Sequence, residues 1–443
     1  MAAYSSEAEN QSPAIYIPHQ WSEAADSIAY DSNTSPPPIA LICGAKNCGK
    51  TTFSRCLVNI LLQRYRKVAY LDTDVGQPEF TAPGFLSLTV VDKLTPDLTI
   101  PCLKTPERCF FFGDVSSKRD PTAYLKCIFT LYDYYRKEYC ISDKNKSTGR
   151  TELPLVVNTP GWVKGLGYDM LVDMLRYITP SHVVKIKISF ESKNLPAGAF
   201  WLDGDSDGDV NLMEISSARQ DSYNRSVLIQ KDARLLRDLR IMAYFRQCFS
   251  SNQNITTIKE LAHALASHPP YEVPISSIKI RHLHCQVPST EIFYSLNATI
   301  VGLATSSEMC ENLPWCVGLG RSLLHHLFVI LFFAFTTSPS VLFELVKFFT
   351  YFIPVYLGKT ALSICATVSL LCRVNEYGLM ALVWIVRGID TLKGLLYVIT
   401  PVPPSILEKV DLFLQGFIQI PTCLLQVQGC TSPYISVNVL PTS

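Results

Sequence analysis

Gly44-Ala45-Lys46-Asn47-Cys48-Gly49-Lys50-Thr51 fits the pattern G-x-x-x-x-G-K-[ST], a loop that curls its backbone around phosphate oxygens. Its flanks decide the fold. Ile39-Ala40-Leu41-Ile42-Cys43 is a short apolar run directly after Pro36-Pro37-Pro38, so it reads as a buried strand. Over residues 51–62, Phe53, Cys56, Leu57 and Ile60 recur at helical spacing. Strand, glycine loop and helix together give the motif its structural meaning. Gly44 and Gly49 let the backbone turn its N–H groups inward, so the loop Ala45, Lys46, Asn47, Cys48 and the helix start Lys50, Thr51, Thr52 form the expected nucleotide cradle. Lys50 is expected to reach the β- and γ-phosphates of a nucleoside triphosphate, and the Thr51 hydroxyl to bind Mg²⁺.

Further strands follow. Lys67-Val68-Ala69-Tyr70-Leu71 reads as buried, and places Asp72 and Asp74 of Asp72-Thr73-Asp74-Val75-Gly76-Gln77 at its carboxyl end, where open α/β sheets bind ligands. Carboxylates there can hold a metal shell or take a proton from an attacking hydroxyl. Leu153-Pro154-Leu155-Val156-Val157 ends in Asn158-Thr159-Pro160-Gly161-Trp162. Trp162 at a strand end can stack on a base, or pack in the core. Residues 163–177 read as a helix, and Ser181-His182-Val183-Val184-Lys185-Ile186 as another strand. Strands alternating with helices predict an α/β fold, a P-loop NTPase core with a mostly parallel sheet. Lys231, Arg234, Arg237, Arg240 and Arg246 lie on a predicted helix interrupted by Asp232 and Asp238. They form either a solvated face or a lid that closes on phosphate, since guanidinium binds phosphate in a fork.

Taken together, Asp72-x-Asp74-x-Gly76-Gln77, Asn158-Thr159-x-Gly161-Trp162 and Arg237/Arg240-Ile241-x-x-Tyr244-Phe245 resemble the polynucleotide 5′-hydroxyl kinases. Thr179-Pro180-Ser181-His182-Val183-Val184, Ile385-Val386-Arg387-Gly388-Ile389-Asp390, Tyr397-Val398-Ile399-Thr400-Pro401-Val402-Pro403 and Gly416-Phe417-Ile418-Gln419-Ile420-Pro421 resemble its nucleolar branch. The resemblance implies ATP and Mg²⁺ as cofactors, with catalytic Lys50, Asp72, Asp74, Arg237 and Arg240. Thr51, Asp72 and Asp74 would hold the metal. The two carboxylates would share metal binding and activation of an RNA 5′-hydroxyl. Ser116 of Phe112-Gly113-Asp114-Val115-Ser116 would clasp the triphosphate, although Val115 stands where relatives often carry a second hydroxyl. Trp162, Gln77 and Thr159 would meet the RNA end. The implied role is phosphorylation of pre-ribosomal RNA during spacer (ITS2) processing in large-subunit biogenesis, in the nucleolus of the nucleus, after a partner endonuclease cuts. Alternatives are a sister-branch kinase of transfer-RNA splicing or messenger 3′-end formation, a small-molecule kinase, and a non-catalytic ATP-binding scaffold. A GTPase-like switch is disfavoured because no [NT]-K-x-D follows a late strand.

Length and composition set bounds. The 443 residues suffice for two or three domains, and a net charge of +1 confines any RNA site to local patches such as 231–246 or Lys279-Ile280-Arg281-His282-Leu283-His284. Fifteen Cys without C-x-x-C pairs or a signal peptide point to a reducing compartment and away from zinc. The sequons at Asn145, Asn224, Asn254 and Asn297 are then expected to be unused. The expected organisation is an N-terminal segment 1–36, disordered over 1–14, a kinase domain 37–255, and a smaller β-rich C-terminal module of 271–320 and 385–443. A surface loop is expected over 142–150.

Residues 321–384 form a hydrophobic insertion. Arg321, Glu344, Lys347, Lys359, Arg373 and Glu376 carry its charges amid Phe332-Phe333-Ala334-Phe335 and Phe348-Phe349-Thr350-Tyr351-Phe352. Without it, Gly318-Leu319-Gly320 joins Ile385-Val386-Arg387-Gly388 in a segment that resembles the unbroken family. A translated, uracil-rich intron fits this composition better than a membrane hairpin or an ordinary buried insertion. The apolar runs 323–335 and 360–372 are short of the roughly 20 residues a span needs, and 341–357 carries two charges and a proline. No membrane partner is expected. An exposed apolar block of this size favours aggregation. The full chain should therefore be less soluble on expression than a chain lacking 321–384; equal soluble yields would remove the argument.

Overall fold

The computed structural model describes residues 17–31, 36–95, 102–140, 152–202, 210–218, 233–250, 252–310, 313–316 and 383–425. The expectations for 1–14, 142–150, Lys231 and nearly all of the insertion lie outside them.

Two seven-stranded sheets organise the described residues. The first contains β1 (Ile39–Gly44), β2 (Val68–Asp72), β3 (Phe85–Val91), β4 (Arg108–Phe111), β5 (Leu155–Asn158), β6 (His182–Lys187) and β7 (Asn211–Ser216). Their order is β4-β3-β2-β5-β1-β6-β7. From β2 to β7 every pairing is parallel, while β3 and β4 add an antiparallel edge. The expected mostly parallel sheet is present. Both of its faces are covered, which is why β1, β2 and β5 read as continuous apolar runs.

One face carries α1 (His19–Tyr30) and α2 (Lys50–Arg64), packed on Ala40, Ile42, Tyr70, Val156 and Val184. The other carries α3 (Pro121–Tyr139) and α4 (Leu166–Ile178), packed on Leu41, Leu71, Val157 and Val183. Residues adjacent in a strand thus face opposite layers. Asp120 caps α3 by accepting the Ala123 N–H at 2.9 Å, and Pro121 starts the helix where a missing N–H costs nothing.

The helix α1 lies in the N-terminal segment beyond the stretch expected to be disordered, and it packs into the core. Trp21, Ala24, Ala25, Ile28 and Ala29 are buried. The Trp21 indole donates to the Ser216 carbonyl at 2.8 Å and meets Phe53 edge-on at 5.5 Å. The branch motif around Ser181 has a structural use here. The Ser181 hydroxyl accepts the Ile39 N–H at 2.9 Å, and buried His182 lies 3.5 Å from Asp31.

The second sheet contains β8 (Tyr271–Pro274), β9 (Lys279–His282), β10 (Ile300–Cys310), β11 (Leu313–Cys316), β12 (Val383–Asp390), β13 (Leu395–Ile399) and β14 (Leu412–Gln415). The order is β8-β13-β12-β10-β14-β9, with β11 on β10. Its strands alternate between two cores: Val383 and Ile385 face one, Trp384 and Val386 the other. The first of these cores also takes in α5 (Ala233–Arg246), α6 (Ile258–Ser267) and Phe85, Cys109 and Phe111 from the edge of the first sheet. Arg387 of the second branch motif donates to the Ala266 and His268 carbonyls and so ties α6 to β12.

One boundary moves. β12 starts at Val383, and Trp384 is 1% exposed and meets Phe413 edge-on at 4.8 Å. These two residues, assigned to the insertion on sequence, belong to the core, because β12 must reach Val383 to pair with Gly302 of β10. No helix among the described residues is long and apolar enough to cross a membrane.

Trp21→Ala should lower the unfolding free energy by about 3 to 5 kcal/mol, the usual cost of truncating a buried large aromatic. Urea denaturation measures it; a loss below about 1 kcal/mol would mean that α1 is a peripheral attachment.

Candidate active site

The cradle forms as its glycines require. Gly49 caps α2 with φ 101° and Gly44 has φ 144°, while Asn47 takes φ 61°. No side chain caps α2, so its first N–H groups, which have no partners within the helix, face the loop's interior. A Cβ on Gly49 would fall 2.6 Å from the Trp21 ring, so α1 presses directly on the cradle. Lys50 is buried, its ammonium donating to the carbonyls of Ala45 at 2.7 Å and Gly44 at 3.2 Å. Cys48 is buried against it at 3.9 Å, and burial pushes its thiol pKa up, so it is an inert part of the loop. A Cβ on Gly161 would come 2.6 Å from the Lys46 nitrogen, which packs the Thr159–Trp162 turn against the cradle.

Strand register brings the acids to the same place. Asp72, Asn158 and Ile42 lie side by side on the adjacent parallel strands β2, β5 and β1. The Asn158 amide nitrogen donates to Asp72 Oδ1 at 3.2 Å and to Thr51 Oγ1 at 3.5 Å, and its oxygen lies 3.5 Å from the Ser54 hydroxyl. Asn158 therefore joins the helix of the cradle to the carboxylate strand. Sequence reasoning quoted it within a motif and gave it no role. A buried amide directly after an apolar strand run was the available signal.

The two carboxylates differ. Asp72 is 1% exposed, and both of its oxygens are engaged: Oδ2 accepts the Glu79 N–H at 2.6 Å, and Oδ1 accepts Asn158 and the Asp74 N–H. Burial pushes its pKa up to about 7, with the Asp74 charge adding to the rise and the hydrogen bonds opposing it. Asp74 is half-buried, and its Oδ1 accepts the N–H groups of Gly76 at 2.9 Å and Gln77 at 3.0 Å. Gln77 is half-buried next to it. Among the described residues, no group of three or more His, Cys, Asp or Glu side chains gathers as a metal cluster.

The remaining expected residues fall into three groups. Ser116 is exposed on a loop that rests on the acids: a Cβ on Gly76 would meet the Val115 carbonyl at 2.8 Å, and the Ser116 N–H donates to Asp114 at 2.9 Å. Trp162 is half-buried and meets Tyr124 edge-on at 5.3 Å. The Tyr124 hydroxyl in turn donates to the Thr73 carbonyl, between the two acids, at 2.6 Å. Thr159 is fully buried and its hydroxyl donates to the Ile42 carbonyl at 2.7 Å, so here it spaces β5 from β1.

The basic helix holds two arginines in specific contacts. Arg240 is buried in an ion pair with Glu79 at 3.5 Å, and Arg55 of α2 pairs with the other Glu79 oxygen at 3.1 Å. Burial raises the Glu79 pKa, and the two guanidiniums oppose that rise. Arg240 thus anchors α5 beside Asp72 in this structure. Arg246 is bound to the carbonyls of Phe249, Ser250 and Gln253, closing the end of α5. Arg237 is half-buried and Arg234 exposed on the same helix. In the other basic patch, Lys279 and Arg281 are exposed, while His282 bonds the Ser295 hydroxyl.

A helix N terminus in a glycine loop, facing a carboxylate pair across one parallel strand, defines a P-loop protein with the parts of a phosphotransferase. Residues 44–247 match the model of the mRNA cleavage and polyadenylation factor CLP1 P-loop, and 266–323 with 358–421 match the NOL9-like C-terminal domain. The unmatched stretch between those two segments is residues 324–357, so the matched residues include part of the expected insertion 321–384. The chain is 57% identical over 437 residues to the polynucleotide 5′-hydroxyl-kinase NOL9 of Arabidopsis thaliana, covering 98% of this chain and 99% of the relative. The Danio rerio NOL9 kinase is 29% identical over 425 residues, with 90% of this chain covering 49% of that protein. The chain thus spans nearly the whole plant relative and about half the length of the animal relatives it matches. A solved structure of the Clp1p–Pcf11p complex shares the fold, with a TM-score of 0.53 at 15% identity over 90% of this chain and 79% of that one. The chain belongs to the NOL9 family of polynucleotide 5′-hydroxyl kinases.

Glu79→Ala would leave two buried guanidiniums without a counter-charge and should destabilise the fold by about 3 to 5 kcal/mol. Chemical denaturation reads this; a change under about 1 kcal/mol would show that the triad is solvated in solution.

Proposed function

We propose that this chain transfers the γ-phosphate of ATP to the 5′-hydroxyl of RNA. One observation carries the reading beyond family membership: the Asn158 amide bonds both Thr51 of the cradle and Asp72 of the acid pair, so the phosphate-binding loop and the carboxylate strand share one point.

The residues fit Mg²⁺. Thr51, Asp72 and Asp74 offer only oxygen donors, and a small protein ligand set completed by substrate phosphates suits this ion. The raised pKa of buried Asp72 also marks a carboxylate suited to a cation partner. When bound, Mg²⁺ would neutralise charge on the β- and γ-phosphates.

The chain's own groups supply position and charge. The Gly44–Thr51 backbone N–H groups would hold the phosphates, and Lys50 would leave the Ala45 carbonyl for the γ-phosphate. Asp72, with both oxygens bound, is suited to a fixed role. Asp74, half-buried with one oxygen on backbone N–H groups, is suited to orient the RNA 5′-hydroxyl and take its proton. The hydroxyl oxygen then bonds to the γ-phosphorus as the bond to the bridging oxygen of ADP breaks, in line. Trp162 would stack on the terminal base and Gln77 would flank it; Ser116 would clasp the triphosphate. Arg237, on the helix that Arg240 anchors, is the remaining lid candidate.

The matched C-terminal model favours the nucleolar branch over the sister branches that the core model alone would allow. On that basis we assign the substrate to pre-ribosomal RNA of the ITS2 spacer, in large-subunit biogenesis, with a nucleolar location and an endonuclease partner.

Transfer of labelled γ-phosphate to a 5′-hydroxyl RNA oligomer tests the activity. Lys50→Ala should reduce transfer by about 100-fold or more, as for loss of one key charge-stabilising donor. Asn158→Ala should reduce it about 10- to 100-fold, the usual effect of removing a partner that orients a metal ligand. No transfer from the wild-type chain, with ATP still bound, would turn the reading to an ATP-binding scaffold.

A further inference from the structure

The loop Phe112-Gly113-Asp114-Val115-Ser116 is touched by both halves of the molecule. On one side the Val115 carbonyl sits over Gly76, next to Asp74. On the other side, residues that directly follow β9 and β14 of the second sheet hold the start of the loop. The His284 ring nitrogen lies 2.6 Å from the Phe112 carbonyl, and the two rings are 4.7 Å apart. Gly113 has φ +77°, and a Cβ there would come 2.9 Å from Leu283 and 3.2 Å from the Gly416 Cα. A Cβ on Gly416 would fall 2.6 Å from the Gly113 Cα, so the two backbones pass in direct contact. The Phe417 N–H then donates to the Gly113 carbonyl at 2.6 Å.

A side-chain relay continues from there. The Arg119 guanidinium lies over the Phe417 ring at 4.2 Å and pairs with Asp114. Asp114 is buried, and its other oxygen accepts the Ser116 N–H at 2.9 Å. The relay therefore runs from the C-terminal module to the hydroxyl residue of the clasp. Phe417 is 42% exposed and Arg119 is exposed, so neither belongs to a hydrophobic core. Their geometry has no evident purpose in core packing, and it terminates at the loop beside the acids.

We propose that Phe417 and Arg119 are positioning residues for the nucleotide, through which the C-terminal module holds the 113–116 loop in place for the triphosphate. The proposal rests on the kinase reading and on Ser116 as a triphosphate contact. It makes the module a required part of the ATP site, in addition to any role toward a partner.

The test compares wild type, Phe417→Leu, Phe417→Tyr and Gly416→Ala in the full chain. Steady-state kinetics are measured separately for ATP and for the RNA oligomer, with backbone hydrogen exchange over 113–119 with and without ATP. Losing one exposed cation–π contact should raise the KM for ATP about two- to five-fold, with the KM for RNA unchanged. Phe417→Tyr, which keeps a ring face, should restore the wild-type value. Gly416→Ala should have the larger effect, since it wedges the two backbones apart. Exchange at 113–116 should quicken in Phe417→Leu and lose its slowing by ATP. An unchanged KM for ATP with unchanged exchange overturns the proposal. So does an equal rise in both KM values with a lowered melting temperature, which marks a merely structural role. If wild type transfers no phosphate, the kinase reading fails by itself, and the effect of Phe417→Leu on ATP-dependent exchange still decides the relay.

Discussion

Asn158 has no contact with water, and its amide must find partners inside the protein or cost several kcal/mol. Its partners are Asp72 at the end of β2 and Thr51 and Ser54 on α2, two segments far apart in the chain. Satisfying one side chain therefore fixes β5 between β1 and β2, sets the rotation of α2, and turns the Asp72 carboxyl toward the cradle. The backbone repeats the constraint: the Thr73 N–H and hydroxyl both donate to the Asn158 carbonyl, at 3.1 and 2.8 Å. A leucine at this place would fill the core equally well. It would leave the carboxylate and the cradle without a common reference.

The Glu79 triad extends that frame outward. The backbone of Glu79 holds Asp72, while its side chain is shared by Arg55 from α2 and Arg240 from α5. Buried ion pairs gain little net stability over apolar packing, because desolvation offsets most of the attraction. Geometry is what the arrangement secures. Two cations cannot stay buried unless the carboxylate lies between them, so α5, which packs on the second sheet, is held in register with the acids on the first.

The cradle, β1, β2, β5 and the alternation of strand and helix were legible because each is local. Glycine spacing, apolar runs and their lengths are properties of a dozen adjacent residues. The features that were not legible share the opposite character. In α1, Pro18 precedes the helix, no side chain caps it, and its first and last turns carry no helpful charges. The Trp21 contacts to Gly49, Phe53 and Ser216, together with the buried Ala24, Ala25, Ile28 and Ala29, show why it is ordered. Arg240 looked like a solvated arm because its partner stands 161 positions away. Thr159 looked available because the carbonyl it binds belongs to another strand. A charge or hydroxyl is read from sequence as if solvated, and a long-range partner overturns that reading.

The break between β11 and β12 concerns the insertion in the same terms. Ile300 and Val301 of β10 pair with Ile385 and Trp384 of β12, and β10 pairs with β14 on its other side. The strand is thus fixed by partners that residues 317–382 do not supply. Loop-closure cost rises only with the logarithm of length, so extending a connection of a few residues some sixteen-fold costs on the order of 2 to 3 kcal/mol. The buried side chains of Val383, Trp384, Ile385 and Val386 outweigh that, at roughly 1.5 to 3 kcal/mol for each large one. The second sheet can therefore close across the insertion, and the relay from Gly416 and Phe417 to the nucleotide loop does not depend on how the chain travels between the two strands.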